Sequence, residues 1–167
     1  SRATLHLHGG LSPWISDGTP HQWITPEELP NPYPEGASVG NVPDMTSPAA
    51  QAAGVPDCSG DNDGCQTFYW TNQQSARLMF YHDHAFGTTR LNVYLGEAAG
   101  YLISDATEAK LIASATIPGP ADTIPLVIQD RTFVPSDAQI LEQDPTWDAS
   151  RWGGYGNFWY HHVYMPA

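Results

Sequence analysis

Positive charge is what this sequence has least of: 6 Lys+Arg stand against 18 Asp+Glu in 167 residues, a formal net charge of −12. So acidic a chain repels phosphate backbones and anionic headgroups, which excludes nucleic acid and membrane surfaces as partners. No apolar run approaches the ~20 residues that cross a bilayer, and no signal peptide or lipidation motif opens or closes the sequence. Cysteine is limited to Cys58 and Cys65, seven positions apart in DCSGDNDGC. A local disulfide is the plain reading of that pair, and neither thiol neighbours a histidine as a metal thiolate would. Repeats, heptads and phosphate-binding glycine loops are absent from the sequence, which leaves solenoids, coiled coils and nucleotide-binding folds without support.

What is present points to β structure. Gly and Pro number 15 each, hydrophobic residues make up 41% and charged residues only 14%, a loop-rich profile without the heavy charge of disordered chains. The length suffices for one domain burying ~70% of its unfolded surface. Strands are expected over Arg2 to His8, Gln66 to Thr71, Ala76 to His84, Thr89 to Leu95, Ala98 to Ser104 and Asp122 to Phe133, where aromatic and branched residues run between turn signals. Pro26 to Gly64 reads as a long irregular excursion with one helical turn around Ser47 to Ala53. Short strands separated by turns favour an all-β sandwich or barrel with long irregular loops.

Four of the seven histidines form two H-x-H pairs, His6 with His8 in HLHGG and His82 with His84 in YHDHA. Side chains at i and i+2 on a strand leave the same face ~6.5 to 7 Å apart, so both imidazoles of a pair can reach one metal or two adjacent ones. A nitrogen-only donor set points to copper or zinc. One such pair reads equally well as half-buried histidines satisfied by hydrogen bonds; two pairs favour the metal. The H-x-H-x-D-H signature of binuclear zinc hydrolases fails, because Ala85, Phe86 and Gly87 follow His84. Among the remaining candidates, His21 reads as a structural or surface residue. His161 and His162, being adjacent, face opposite ways on a strand and chelate poorly. Asp57, Asp61 and Asp63 lack the carboxylate that closes a calcium loop. A salt bridge is the plain expectation for Arg77 and Arg90, and the tryptophans read as core and loop anchors.

The segments HLHGG at 6 to 10, SDG at 16 to 18, TNQQSARLMFYHDHA at 71 to 85 and TRLNVYLGEAAGYLI at 89 to 103 resemble the first cupredoxin domain of bacterial multicopper oxidases. The similarity is to the branch with spore-coat laccase, bilirubin oxidase and phenoxazinone synthase, and IPLVIQDRTF at 124 to 133 with WYHHVYMP at 159 to 166 extends it. The resemblance implies an all-β, cupredoxin-like Greek-key fold, with residues 1–134 forming the first cupredoxin domain without its opening strands. Residues 135–167 would then lead toward a second domain. It also implies four coppers in the whole assembly, one type 1 ion taking electrons from substrate and a type 2/type 3 cluster reducing dioxygen. His6 is then the type 2 ligand, His8, His82 and His84 are type 3 ligands, and Asp17 is the acidic residue assisting proton delivery. Without the resemblance, Asp17 reads as an Asp-Gly turn residue.

The type 1 ligands and the H-x-x-H-x-H and H-C-H segments of that family do not occur in these 167 residues. The expectation is therefore a piece of a secreted, periplasmic or cell-surface laccase-like oxidase. It would act on small aromatic substrates and O2 only with another polypeptide or fragment carrying the remaining cupredoxin domains. Two alternatives stay open: a stand-alone cupredoxin-like copper-binding module without turnover, and a mononuclear zinc hydrolase with Asp83 or Asp17 as general base.

Overall fold

The computed structural model describes residues 2–27, 32–39, 47–58, 64–131 and 136–152. Asp61, Asp63, His161, His162 and the aromatic segment 157–166 lie outside the described residues.

Three strands form one antiparallel sheet in the order β1 (Leu5–His8), β2 (Arg77–Asp83) and β3 (Ala98–Ile103). The alternation of side chains across the strands decides its two faces. Leu7, Met79 and Ile103 turn to one side and are buried, with Trp70, Tyr81 and Tyr101 packed against them. The even-numbered residues His6, His8, His82, Phe80, Leu78 and Leu102 take the other side, by the same period of two. Small antiparallel sheet, long loops and few short helices agree with the all-β, cupredoxin-like class expected from the sequence.

Three of the expected strands take other forms. Thr89–Leu95 is a helix, α2, closed by Gly96 in the left-handed region at φ 109°. Over seven residues an alternating reading and a helical one are hard to separate, and here one distant contact and one local contact hold the helix. The buried Asn92 donates through Nδ2 to the Arg2 carbonyl at 2.8 Å, while Thr89 Oγ1 donates to the Ala85 carbonyl at 3.1 Å. Gln66 to Thr71 is extended but joins no ladder, because its polar groups are claimed by loops: Tyr69 N–H donates to Ser16 Oγ and Trp70 Nε1 to the Ser16 carbonyl. Residues 123–131 also run without ladder pairing beside β3, held at Gln129 Nε2 by the Ala98 carbonyl.

The helices are short, and three of those among the described residues are capped by side chains. α1 (Pro48–Ala52) is the expected helical turn, with Ser47 Oγ accepting from Ala50 N–H. α3 (Ala106–Ala113) starts at Asp105, whose carboxylate accepts from Glu108 N–H at 2.7 Å and from Ala76 N–H at 2.9 Å. These backbone donors, Glu108 first, hold the Asp105 carboxyl below its ordinary value. α4 (Asp137–Gln143) opens with a Ser136–Gln139 capping box, and α5 (Ala149–Trp152) follows. Cys58 and Cys65 are joined as a disulfide. No helix among the described residues is long and apolar enough to cross a membrane.

Candidate metal centre

The ladder between β1 and β2 places His6 opposite His82 and His8 opposite Phe80. His84 N–H then donates to the Thr4 carbonyl at 2.8 Å, which carries the antiparallel contact one step past β2. Two H-x-H pairs 74 or more residues apart in sequence are thereby stacked on one face. Ring centroids are 5.6 Å apart for His6 and His82, 5.5 Å for His8 and His82, and 5.1 Å for His6 and His84. One ring nitrogen from each of His6, His8 and His82 falls within 4.8 Å of the others. Two nitrogens on opposite sides of one ion stand about 4 Å apart, so the trio lies at the outer reach of a single ion and suits neighbouring ions as well.

Three of the rings are oriented by main-chain carbonyls. Nδ1–H donates to the Asp17 carbonyl from His6 at 2.7 Å, to the Asp83 carbonyl from His82 at 2.6 Å, and to the Gly18 carbonyl from His84 at 3.1 Å. A carbonyl oxygen can only accept, so a proton sits on each of these Nδ1 atoms and Nε2 is the nitrogen left to face a metal. His8 differs: its Nδ1 faces Nε2 of His82 at 3.3 Å, and its ring stacks on Phe80 with centroids 4.6 Å apart. Imidazoles held in fixed orientations by such contacts are a donor set that copper accepts.

Asp17 touches His6 twice, through its carbonyl and through Oδ1 at 3.3 Å from Nδ1. Its carboxylate is 39% exposed, and it meets His6 on the ring edge that carries the Nδ1 proton. Asp17 closes the short 3-10 turn Trp14–Ser16 with N–H to the Trp14 carbonyl. Gly18 follows at φ 62°, and a Cβ there would sit 2.0 Å from the Leu5 carbonyl oxygen. The SDG loop can therefore press its carbonyls against both His6 and His84 only with glycine at this position.

The remaining candidates lie elsewhere. His21 is exposed and stacks on Phe86 at 5.1 Å. Arg77 donates to the Ser75 carbonyl and Oγ, where a salt bridge was the expectation. Trp70 is partly buried against the core, Trp23 lies beneath the Arg2 guanidinium at 5.1 Å, and Trp14 is exposed. Motif reading gives no positioning role to Gly18 or Asp83; the residue between the two histidines of HDH, necessarily on the opposite face of a strand, is the signal that was available. Glu97 is half-buried, and its main-chain carbonyl accepts Asp83 N–H at 3.0 Å: burial, then the Asp83 charge, raises its carboxyl above the ordinary value.

No protein-family model matches the chain. A laccase of Bacillus stratosphericus is 34% identical over 145 residues, covering 86% of this chain and 22% of that protein. A laccase of Bacillus subtilis is 31% identical over 133 residues, 79% of this chain and 20% of that protein. A bilirubin oxidase of Albifimbria verrucaria is 46% identical over 44 residues, 26% of this chain and 8% of that protein. The chain spans about a fifth of the length of the laccases that it matches. With similarity to laccases running over most of its residues, and with two H-x-H pairs on one sheet face, the chain is a homologue of the multicopper oxidases, corresponding to a fifth of a laccase.

Proposed function

We propose that this chain supplies half of the histidines of a trinuclear copper cluster in a laccase-like oxidase, which couples one-electron oxidation of phenolic or related aromatic substrates to four-electron reduction of O2 to water. The observation that carries the reading is the register His6 to His82, which gathers both H-x-H pairs on one face and brings ring nitrogens of His6, His8 and His82 within 4.8 Å of one another. In this reading His6 is the type 2 ligand, and His8, His82 and His84 are type 3 ligands. Bound copper would supply the electron transfer to dioxygen. The chain's own residues orient the imidazoles: carbonyls of Asp17, Gly18 and Asp83 fix the Nδ1 protons, and Phe80 stacks on the His8 ring. The half-exposed Asp17 carboxylate, 3.3 Å from His6, is the group in place to pass protons from solvent toward the site.

The reading includes a partner. Residues 1–134 would form the first cupredoxin domain and residues 135–167 a linker, with the type 1 copper and the other cluster histidines on another polypeptide or fragment. The histidine face supports this, since Leu78, Phe80 and Leu102 flank the imidazoles there at 42% to 62% exposure. An apolar border of that kind beside polar ligands is the surface a docked domain covers. A secreted, periplasmic or cell-surface setting belongs to the same proposal, supported by the Cys58–Cys65 disulfide.

Native mass spectrometry of the purified protein tests the reading. A complex with a second polypeptide and about four coppers is expected; an isolated chain that takes up no copper overturns it.

A further inference from the structure

We propose that Asp83 is a positioning residue that sets His84 against His6, so that the fourth imidazole joins the site only while the Asp83 carboxylate bridges two main-chain donors. The inference rests on the copper reading of the histidines. Asp83 is fully buried at 0% exposure, on the face of β2 opposite the rings of His82 and His84. Burying a carboxylate is costly unless its oxygens are hydrogen-bonded. Here each oxygen has its own donor: Oδ1 accepts from Thr4 N–H at 3.0 Å and Oδ2 from Ala85 N–H at 3.1 Å.

Those donors lie on both sides of the site. Thr4 is the residue before β1, two positions from His6, and its carbonyl in turn receives His84 N–H. Ala85 directly follows His84. The chain has to leave the β2 ladder at this point, and the carboxylate ties the departing strand back to the start of β1. His84 is thereby held between two fixed points, with Nδ1 at the Gly18 carbonyl. Only a carboxylate fits: it is a short side chain with two acceptor oxygens and no donor, whereas Asn would turn an NH2 toward one of the N–H groups.

His84 is the histidine most in need of such a tie. His6, His8 and His82 lie within the regular ladder and already bring three nitrogens within 4.8 Å, a group that does not include His84. Loss of the bridge should leave the three-histidine group and release the fourth.

The test uses the intact protein carrying this chain, stripped of metal and titrated with Cu(II) alone. Wild type is compared with Asp83→Asn, His84→Ala and the core control Ile103→Val, reading copper affinity and, by pulsed EPR, the number of coordinated imidazoles. Asp83→Asn should match His84→Ala, losing one imidazole and about 10- to 100-fold in affinity at that position, while Ile103→Val binds as wild type. An Asp83→Asn protein with the wild-type imidazole count and affinity overturns the positioning role and leaves the copper reading intact. A wild-type protein that binds no Cu(II) overturns both. Amide hydrogen exchange on the wild-type protein decides the bridge without a variant: Thr4 and Ala85 should be protected like β2, and fast exchange at both overturns it.

Discussion

His6 faces His82 directly across the β1–β2 ladder, with ring centroids 5.6 Å apart, although 76 positions separate them in sequence. Neither ring can move far without breaking the ladder or the carbonyl contact at its Nδ1. Under the proposed laccase-like function, replacing His82 and His84 together by alanine should abolish oxygen reduction while leaving any blue type 1 absorbance of the proposed partner. Oxygen uptake and visible absorbance measured on one sample check both halves; retained turnover would sink the assignment.

Gly18 gives the most local test of how the site is built. Its φ of 62° and the 2.0 Å approach of a Cβ to the Leu5 carbonyl oxygen leave no room for a side chain. Gly18→Ala should destabilise the protein by about 1–3 kcal/mol through backbone strain. It should also weaken copper binding, because the Gly18 carbonyl is the acceptor for His84 Nδ1. Chemical denaturation and copper titration of the same variant are the measurements, and wild-type behaviour in both would refute the close approach.

Glu97 predicts a pH dependence. Burial and the Asp83 charge raise its carboxyl in the folded protein, so the folded state binds this proton more tightly than the unfolded chain does. Stability contributed by this group is then greatest at low pH and falls as pH rises from the ordinary carboxylate value through the raised one. Glu97→Gln removes the charge and should stabilise the protein at pH 7, with the advantage shrinking below about pH 4.5. Urea unfolding at pH 7 and pH 4 compares the two; an equal difference at both pH values would exclude the effect.

The Cys58–Cys65 disulfide closes a loop seven positions long. Constraint of the unfolded chain by a loop of this size contributes about 2.5 kcal/mol in the chain-entropy account. Cys58→Ser with Cys65→Ser should lower the melting temperature while leaving the histidine spectra unchanged, since the β1–β2 ladder does not depend on this loop. Altered copper spectra would show instead that the loop reaches the site.

Ile103 ends β3 in the core with Leu7 and Met79. Its truncation to alanine should cost about 2–4 kcal/mol from lost burial and the cavity left behind. Thermal unfolding measures this, and a cost under 1 kcal/mol would place the core elsewhere.

Period and spacing were enough to read the strands that carry the ligands. Leu5–His8 alternates and Arg77–Asp83 is rich in aromatic and apolar residues, and an H-x-H on a strand has no choice but to present both rings on one face. The same logic failed at Thr89–Leu95, where seven residues alternate as well as they coil. Asn92, reaching back 90 positions to the Arg2 carbonyl, made the segment a helix.

The sequence by itself therefore determined the donor chemistry: two pairs of imidazoles, an acidic surface, a disulfide and an all-β class, each set by residue type and short-range spacing. The tertiary structure alone decided which pairs meet, since the His6 to His82 register comes from antiparallel pairing between strands distant in the chain. It alone decided the orientation of the His6 and His84 rings too, because the Asp17 and Gly18 carbonyls of the SDG loop arrive at their Nδ1 atoms only once the chain has folded. Spacing is a property of the local backbone, whereas register and hydrogen-bond partners are set by packing between segments far apart in sequence.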